Sequence, residues 1–269
     1  MHPTSRRAFL ATSTAGLAAA VSGPAATAAV IRRIDGGLAD AYPSTDPGDV
    51  RAVVGASHVD FDTVRKLVDN RPELAKANWD WGFGDWESAL GAASHMARPD
   101  IAEYLIANGA RPNLFTFAML GQVDVVRATC RANPGIQRVI GPHGSFTLMR
   151  HAGDAKQDLV VEYLTELGDA DIVQTDLGLG EPDSTPYVGD YRPEHADTVF
   201  HIGYRTNWKG LTFQRDDHTS RFLRNQGGDA FSPGGAPSVR IEFAVVNNRA
   251  AALTIVDGDL RVPAKRVAT

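Results

Sequence analysis

Histidine is the side chain here best suited to hold a transition metal, and such a metal needs two or three of them converging on one point. The chain has eight. His58, His95 and His151 fall in or near the ends of the first helices of successive helical pairs, where they would form a row along one edge. Adjacent pairs stack about 10 Å apart, so these side chains are not expected to share an ion. Surface or helix-capping roles suit them better. His195, His201 and His218 lie on or beside predicted strands, where Asp216 and Asp217 would complete at most a weak site. The sequence therefore assigns no metal and no cofactor.

Catalytic motifs are missing. A serine acylase of the β-lactamase kind needs S-x-x-K so that a lysine can take the serine proton, and none occurs. G-x-S-x-G, H-E-x-x-H, G-x-x-x-x-G-K-[ST] and G-x-G-x-x-G are absent too. Cys130, the single cysteine, lies in an apolar helical pattern with no neighbouring histidine and reads as a buried thiol. No catalytic residue is assigned, and the expectation is a non-enzymatic protein.

Another cluster suggests recognition instead. N-W-D-W-G-F-G-D-W-E, residues 78–87, holds three of the four tryptophans. Trp79, Trp81, Phe83 and Trp86 would supply large contact area at low entropic cost, and Asp80 and Asp85 would orient a polar ligand. Phe115, Phe117 and His143 are the expected companions. Packing is the competing reading, in which the indoles cover the core or dock a second domain.

These residues must be positioned by a repetitive helical region over 46–172. Val64, Ala102, Val126 and Val161 take equivalent places in second helices, giving a period of roughly 32 residues over four degenerate units. The segment Ser88–Asn113 resembles an ankyrin repeat throughout: Ser88, Leu90 and Ala93 stand for T-P-L-H-x-A, and Leu105, Gly109, Ala110 and Asn113 match its tail. Gly91 departs from the usual histidine. The third unit lacks a full projecting finger. The resemblance implies an all-α, ankyrin-like helical solenoid with residues 78–87 as a finger on its concave face, where ankyrin proteins usually bind partners.

A polar linker over 173–186 follows. From 187 to 269 hydrophobicity alternates through eight short segments, which predicts a small antiparallel β-barrel. Y-V-G-D-Y-R with D-A-F-S-P-G-G-A-P-S-V-R-I-E-F resembles the lipocalin-like domain that often follows serine-β-lactamase-like domains. That resemblance implies a fold and little chemistry. Tyr187, Tyr191, Tyr204 and Trp208 would line a small-molecule site in the barrel mouth or interdomain groove, the alternative function, although such residues more often fill a barrel core.

Residues 1–29 resemble a twin-arginine export signal, with Arg6 and Arg7 before a weakly apolar stretch, followed by a linker over 30–45. The resemblance implies a bacterial protein, periplasmic or secreted, carried already folded, with no stable membrane anchor after cleavage. A net charge of −5 without a basic stripe argues against nucleic acid. The functional expectation is an exported module binding a protein or peptide partner through the concave face and fingers of its repeats.

Overall fold

The computed structural model describes residues 42–216 and 218–267. Arg6, Arg7, the export signal, nearly all of the 30–45 linker and Asp217 lie outside them.

Short capped helices build the first part. They are α1 (Pro47–Ala56), α2 (Phe61–Asn70), α3 (Ala89–His95), α4 (Pro99–Ala107), α5 (Leu114–Met119), α6 (Val123–Ala132), α7 (Leu148–Asp154) and α8 (Asp158–Leu167). The side chains of Asp46, Asp60, Ser88, Asn113 and Thr147 accept backbone N–H groups at five of the N-termini, satisfying donors that the helix itself leaves free. Helices pack as consecutive pairs, and α1, α3, α5 and α7 also pack side by side. The small side chains of α3, A-L-G-A-A-S-H, permit that close approach. Val53, Val64, Leu90, Ile101 and Leu105 form one buried cluster, and Val126, Leu148, Val160 and Leu164 another.

The expected all-α solenoid does not hold. Residues 78–88 form a hairpin of β1 (Asn78–Asp80) and β2 (Trp86–Ser88) set between the first two helical pairs. Its turn passes through Gly82, Phe83 and Gly84, all at positive φ, which the two glycines adopt without steric cost. The described residues from Pro43 onward, helices and barrel together, cluster as one compact unit instead of a free helical array. The tryptophan-rich segment is short, glycine-punctuated and alternating, and those local properties outweigh the helical periodicity around it.

After a short helix, α9 (Glu181–Ser184), the chain closes into an eight-stranded antiparallel barrel. Its strands are β3 (Gly189–Pro193), β4 (Phe200–Arg205), β5 (Gly210–Arg215), β6 (Arg221–Gly227), β7 (Ala230–Pro233), β8 (Arg240–Val246), β9 (Arg249–Asp257) and β10 (Leu260–Arg266). Pairing of β10 with β3 completes the ring, so no sheet edge is left open. Alternate residues such as Tyr191, Ile202, Phe213, Phe231 and Ile241 fill the interior.

Several contacts join helices to barrel. Phe83 in the hairpin turn lies 5.4 Å from Phe213, ring centre to ring centre. Gln174 is buried and donates to Ser232 Oγ at 2.9 Å. Asp85 accepts a hydrogen bond from Arg221 of β6. Gly235, at φ +86°, has Asp85 packed where a β-carbon would stand. Gly235→Ala is therefore expected to destabilise the protein by about 1–3 kcal/mol in denaturant unfolding. Gly258→Ala, also at positive φ but facing open space, should lose only the backbone cost of about 1–2 kcal/mol.

Candidate metal centre

The hairpin buries two carboxylates two residues apart. Asp85 and Glu87 are 5% and 1% exposed, while Trp86 between them is 65% exposed. Alternation along the extended chain directs the acids inward and the indole outward. A buried carboxylate stays ionised only with cationic or hydrogen-bonding partners, and each has a separate set.

Asp85 faces the barrel and the loop before α7. It accepts from the His143 backbone N–H at 3.1 Å, from His143 Nδ1 at 2.7 Å and from Arg221. Burial opposes ionisation of Asp85, but the His143 hydrogen bonds and the Arg221 charge outweigh it and hold its carboxyl below the usual range. His143 sits at φ 62°, a conformation disfavoured for most side chains that persists only where surroundings impose it. With Nδ1–H committed to Asp85, its Nε2 faces Glu87 at 3.7 Å.

Glu87 is ringed by nitrogen. Trp81 Nε1–H donates to Oε2 at 2.7 Å. His58 Nε2 lies 3.4 Å from Oε2, and His95 Nε2 lies 3.4 Å from Oε1. His58 Nδ1 lies 3.2 Å and 3.0 Å from the Val54 and Gly55 carbonyls at the end of α1, which turns Nε2 to the acid. Burial works to keep His58 neutral, but its contacts with Glu87 and those carbonyls raise its pKa on balance. His95 behaves oppositely. Burial, then the positive surroundings of His58, His143, His151 and Arg150, push its pKa down to about 2. It is a neutral imidazole, and among the described residues neither of its ring nitrogens, nor Glu87 Oε1, has a hydrogen-bond partner.

One donor atom each from His58, Glu87, His95 and His143 fits within a cluster whose members are all within 4.8 Å of one another. Ligands about 2.1 Å from a shared ion in tetrahedral array stand roughly 3.4 Å apart. His58 Nε2 and His95 Nε2 each stand that far from Glu87, the first from Oε2 and the second from Oε1. The Asp85–His143 bond supplies the outer carboxylate that commonly orients a metal-bound imidazole.

The row of isolated histidines expected from the repeat spacing is thus corrected. His58 and His95 ring centres are 4.9 Å apart, and His95 and His143 5.4 Å. The 10 Å spacing separates helix axes, and imidazoles projecting toward each other from the ends of α1 and α3 close most of it. His151 does not join; its Nδ1 lies 2.7 Å from the Thr147 carbonyl. Glu87 is the residue sequence reasoning missed, and its signal was the alternation in D-W-E.

Three of the four ligand residues border a cleft of about 750 Å³ between helices and barrel. Trp81, Phe146, Trp208 and Phe222 supply its apolar surface, and Arg150, Arg221 and Arg224 its charge.

The remaining anticipated residues are dispersed. Trp79 and Trp81 pack half-buried on the first helical cluster, and Phe115 and Phe117 on the second. Asp80 accepts from Gly82 N–H at 2.8 Å and shapes the hairpin turn. Tyr191 is a buried part of the barrel core, Tyr187 packs against that core, and Tyr204 lies partly buried on β4. Trp208 reaches the cleft. His201 pairs with Asp190 at 2.8 Å, while His195 and His218 are exposed.

Burial also holds His151 neutral, its pKa pushed down to about 4 despite the Thr147 hydrogen bond. The unfolded chain takes up this proton near pH 6.5 and the folded chain does not, so stability falls as pH drops from about 6.5 to 4 and the loss levels off below that. This group alone should remove about 3 kcal/mol over the interval. His151→Gln should make that part of the stability–pH curve shallower by about that amount, the slope due to His95 remaining, measured by urea unfolding at stepped pH.

A scan of protein-family models and a search of curated proteins found no match to this chain, so its functional reading rests on the geometry of Glu87 and its histidines.

Proposed function

We propose that this chain is a metal-dependent enzyme acting on a small molecule in the cleft, with one divalent transition-metal ion bound by His58, Glu87, His95 and His143. One observation carries the proposal: a buried carboxylate oxygen and both nitrogens of a buried neutral imidazole lie together without hydrogen-bond partners. Orphaned buried polar atoms are costly, about 1–3 kcal/mol each. Pairing ionised Glu87 with protonated His58 would balance the charge but leave His95 unsatisfied. A metal ion would take the Glu87 oxygen and one of the two His95 nitrogens.

Three imidazoles and one carboxylate suit zinc or a later first-row metal. Four protein ligands leave one position open on a five-coordinate ion and two on an octahedral one. His58, His95 and His143 border the cleft, and an ion they held would supply polarisation of a water or a substrate oxygen there, the chemistry of metal-assisted hydrolysis. Trp81 would hold the Glu87 carboxylate in place and Asp85 would fix the His143 tautomer. Export by the twin-arginine route fits here, because that route carries proteins folded and loaded, to the periplasm or beyond. The helix pairs would descend from ankyrin-type repeats and the barrel from a lipocalin-like domain.

Exposure of Trp86 favours a second reading, in which a protein or peptide docks on the outer face of the hairpin. Trp86→Ala should then abolish capture of a polypeptide from envelope extract without altering metal content; unchanged capture would remove this reading.

For the metal centre, chelator-stripped protein titrated with Zn²⁺ or Co²⁺ should take up one ion per chain. Glu87→Gln and His95→Ala should each weaken uptake at least 100-fold, and Asp85→Asn about 10–100-fold. Equal uptake by wild type and all three variants would reject the centre.

A further inference from the structure

Among the described residues no acidic side chain lines the cleft, although three arginines do, Arg150, Arg221 and Arg224, beside the imidazoles of His58, His95 and His143. Arg221 and Arg150 each have a carboxylate within hydrogen-bond reach, although Arg221 Nε, like Arg224 Nε, is buried without a hydrogen-bond partner. Arg221 is held by Asp85 and by the Gly234 carbonyl. Arg150 reaches Asp154 at 3.3 Å and lies over the Phe146 ring at 4.2 Å.

Arg224 is different. Its side chain is 10% exposed, yet its nearest carboxylate, Asp176, is 3.9 Å away. One terminal nitrogen donates to the His143 carbonyl at 3.3 Å, and Nε is buried with no hydrogen-bond partner. Its guanidinium lies 5.5 Å from the centre of the Phe222 ring. A buried guanidinium with five donors and so few acceptors is arranged for an acceptor that comes from outside. Burial also lowers its pKa, with Asp176 opposing, the direction expected for a cation short of a counter-charge.

We propose that the cleft binds a small amphipathic anion, a carboxylate or phosphate whose charged head sits on Arg224 and whose apolar body lies among Trp81, Phe146, Trp208 and Phe222. The cavity suits a molecule of a few hundred daltons. Guanidinium and carboxylate or phosphate match as planar, paired donors and acceptors. His143 joins the two halves of the cleft, since its carbonyl meets Arg224 while its ring faces Glu87. Although it deepens the metal-enzyme reading by naming the substrate class, this anion site rests on residues that bind no metal, and the two can fail separately.

The test uses full-length, chelator-stripped protein, followed by tryptophan fluorescence and calorimetry, with benzoate, phenyl phosphate and uncharged benzyl alcohol as probes. At least one anion should bind ten or more times tighter than benzyl alcohol, and the better of the two identifies the head group. That preference should shrink at high salt. Arg224→Gln should erase at least tenfold of anion affinity, while Arg261→Gln, an exposed barrel substitution, should leave it unchanged. Trp208→Ala should weaken every probe, charged or not, and keeps the test decisive if the Arg224 variant does not fold. Equal binding of benzyl alcohol and both anions by wild type, or undiminished anion binding by a folded Arg224→Gln protein, would overturn the proposal. Repeating the titration with Zn²⁺ present separates the two claims: anion binding without metal uptake would leave the anion site standing and the metal centre rejected.

Discussion

Two carboxylates, Asp85 and Glu87, are buried on one short hairpin, and both must be compensated by groups from other parts of the chain. Asp85 draws in Arg221 from the barrel and His143 from the loop before α7. Glu87 draws in Trp81 from its own hairpin and histidines from the ends of α1 and α3. Removing one member of such a set leaves an uncompensated buried charge, which is far more damaging than losing a surface pair. The arrangement therefore links fold to site. The contacts that tie the hairpin to the barrel also set the orientation of His143.

The two carboxylates divide the work. Asp85 has a full complement of donors and is a structural and orienting group. Glu87 has one good donor in Trp81 and otherwise faces imidazoles, at least one of which is neutral. A tightly satisfied acid beside an under-satisfied one, with orphan nitrogens next to the second, is the arrangement on which the proposed cation site rests. The nearby cleft adds excess positive charge and aromatic walls, and the metal would increase that excess. A neutral imidazole set with one carboxylate leaves a divalent ion with net positive charge, so an anionic ligand suits both ends of the cavity.

Some of this was legible in the residues. The barrel followed from eight alternating segments, and the helices from their recurring apolar pattern. The all-α solenoid failed at residues 78–88, where a three-residue strand is too brief to show a period of its own and is recognised only by its partner strand. His58, His95 and His143 were each noted, but helix spacing was applied as though side chains did not project into the gap. Glu87 escaped because a single acid among tryptophans has no motif. Only the fold shows that Trp86 points outward and that its neighbours therefore point in. Arg224 lies in an ordinary strand pattern, and the shortage of acceptors around it is a three-dimensional fact.

The most direct measurement of the central claim is anomalous diffraction at the metal absorption edge from crystals of Zn²⁺- or Co²⁺-loaded protein. The expected result is one strong peak per chain, about 2.1 Å from Glu87 and from one nitrogen each of His58, His95 and His143. No peak at that position, with His58 hydrogen-bonded directly to Glu87 and the His95 nitrogens occupied by water, would contradict the account.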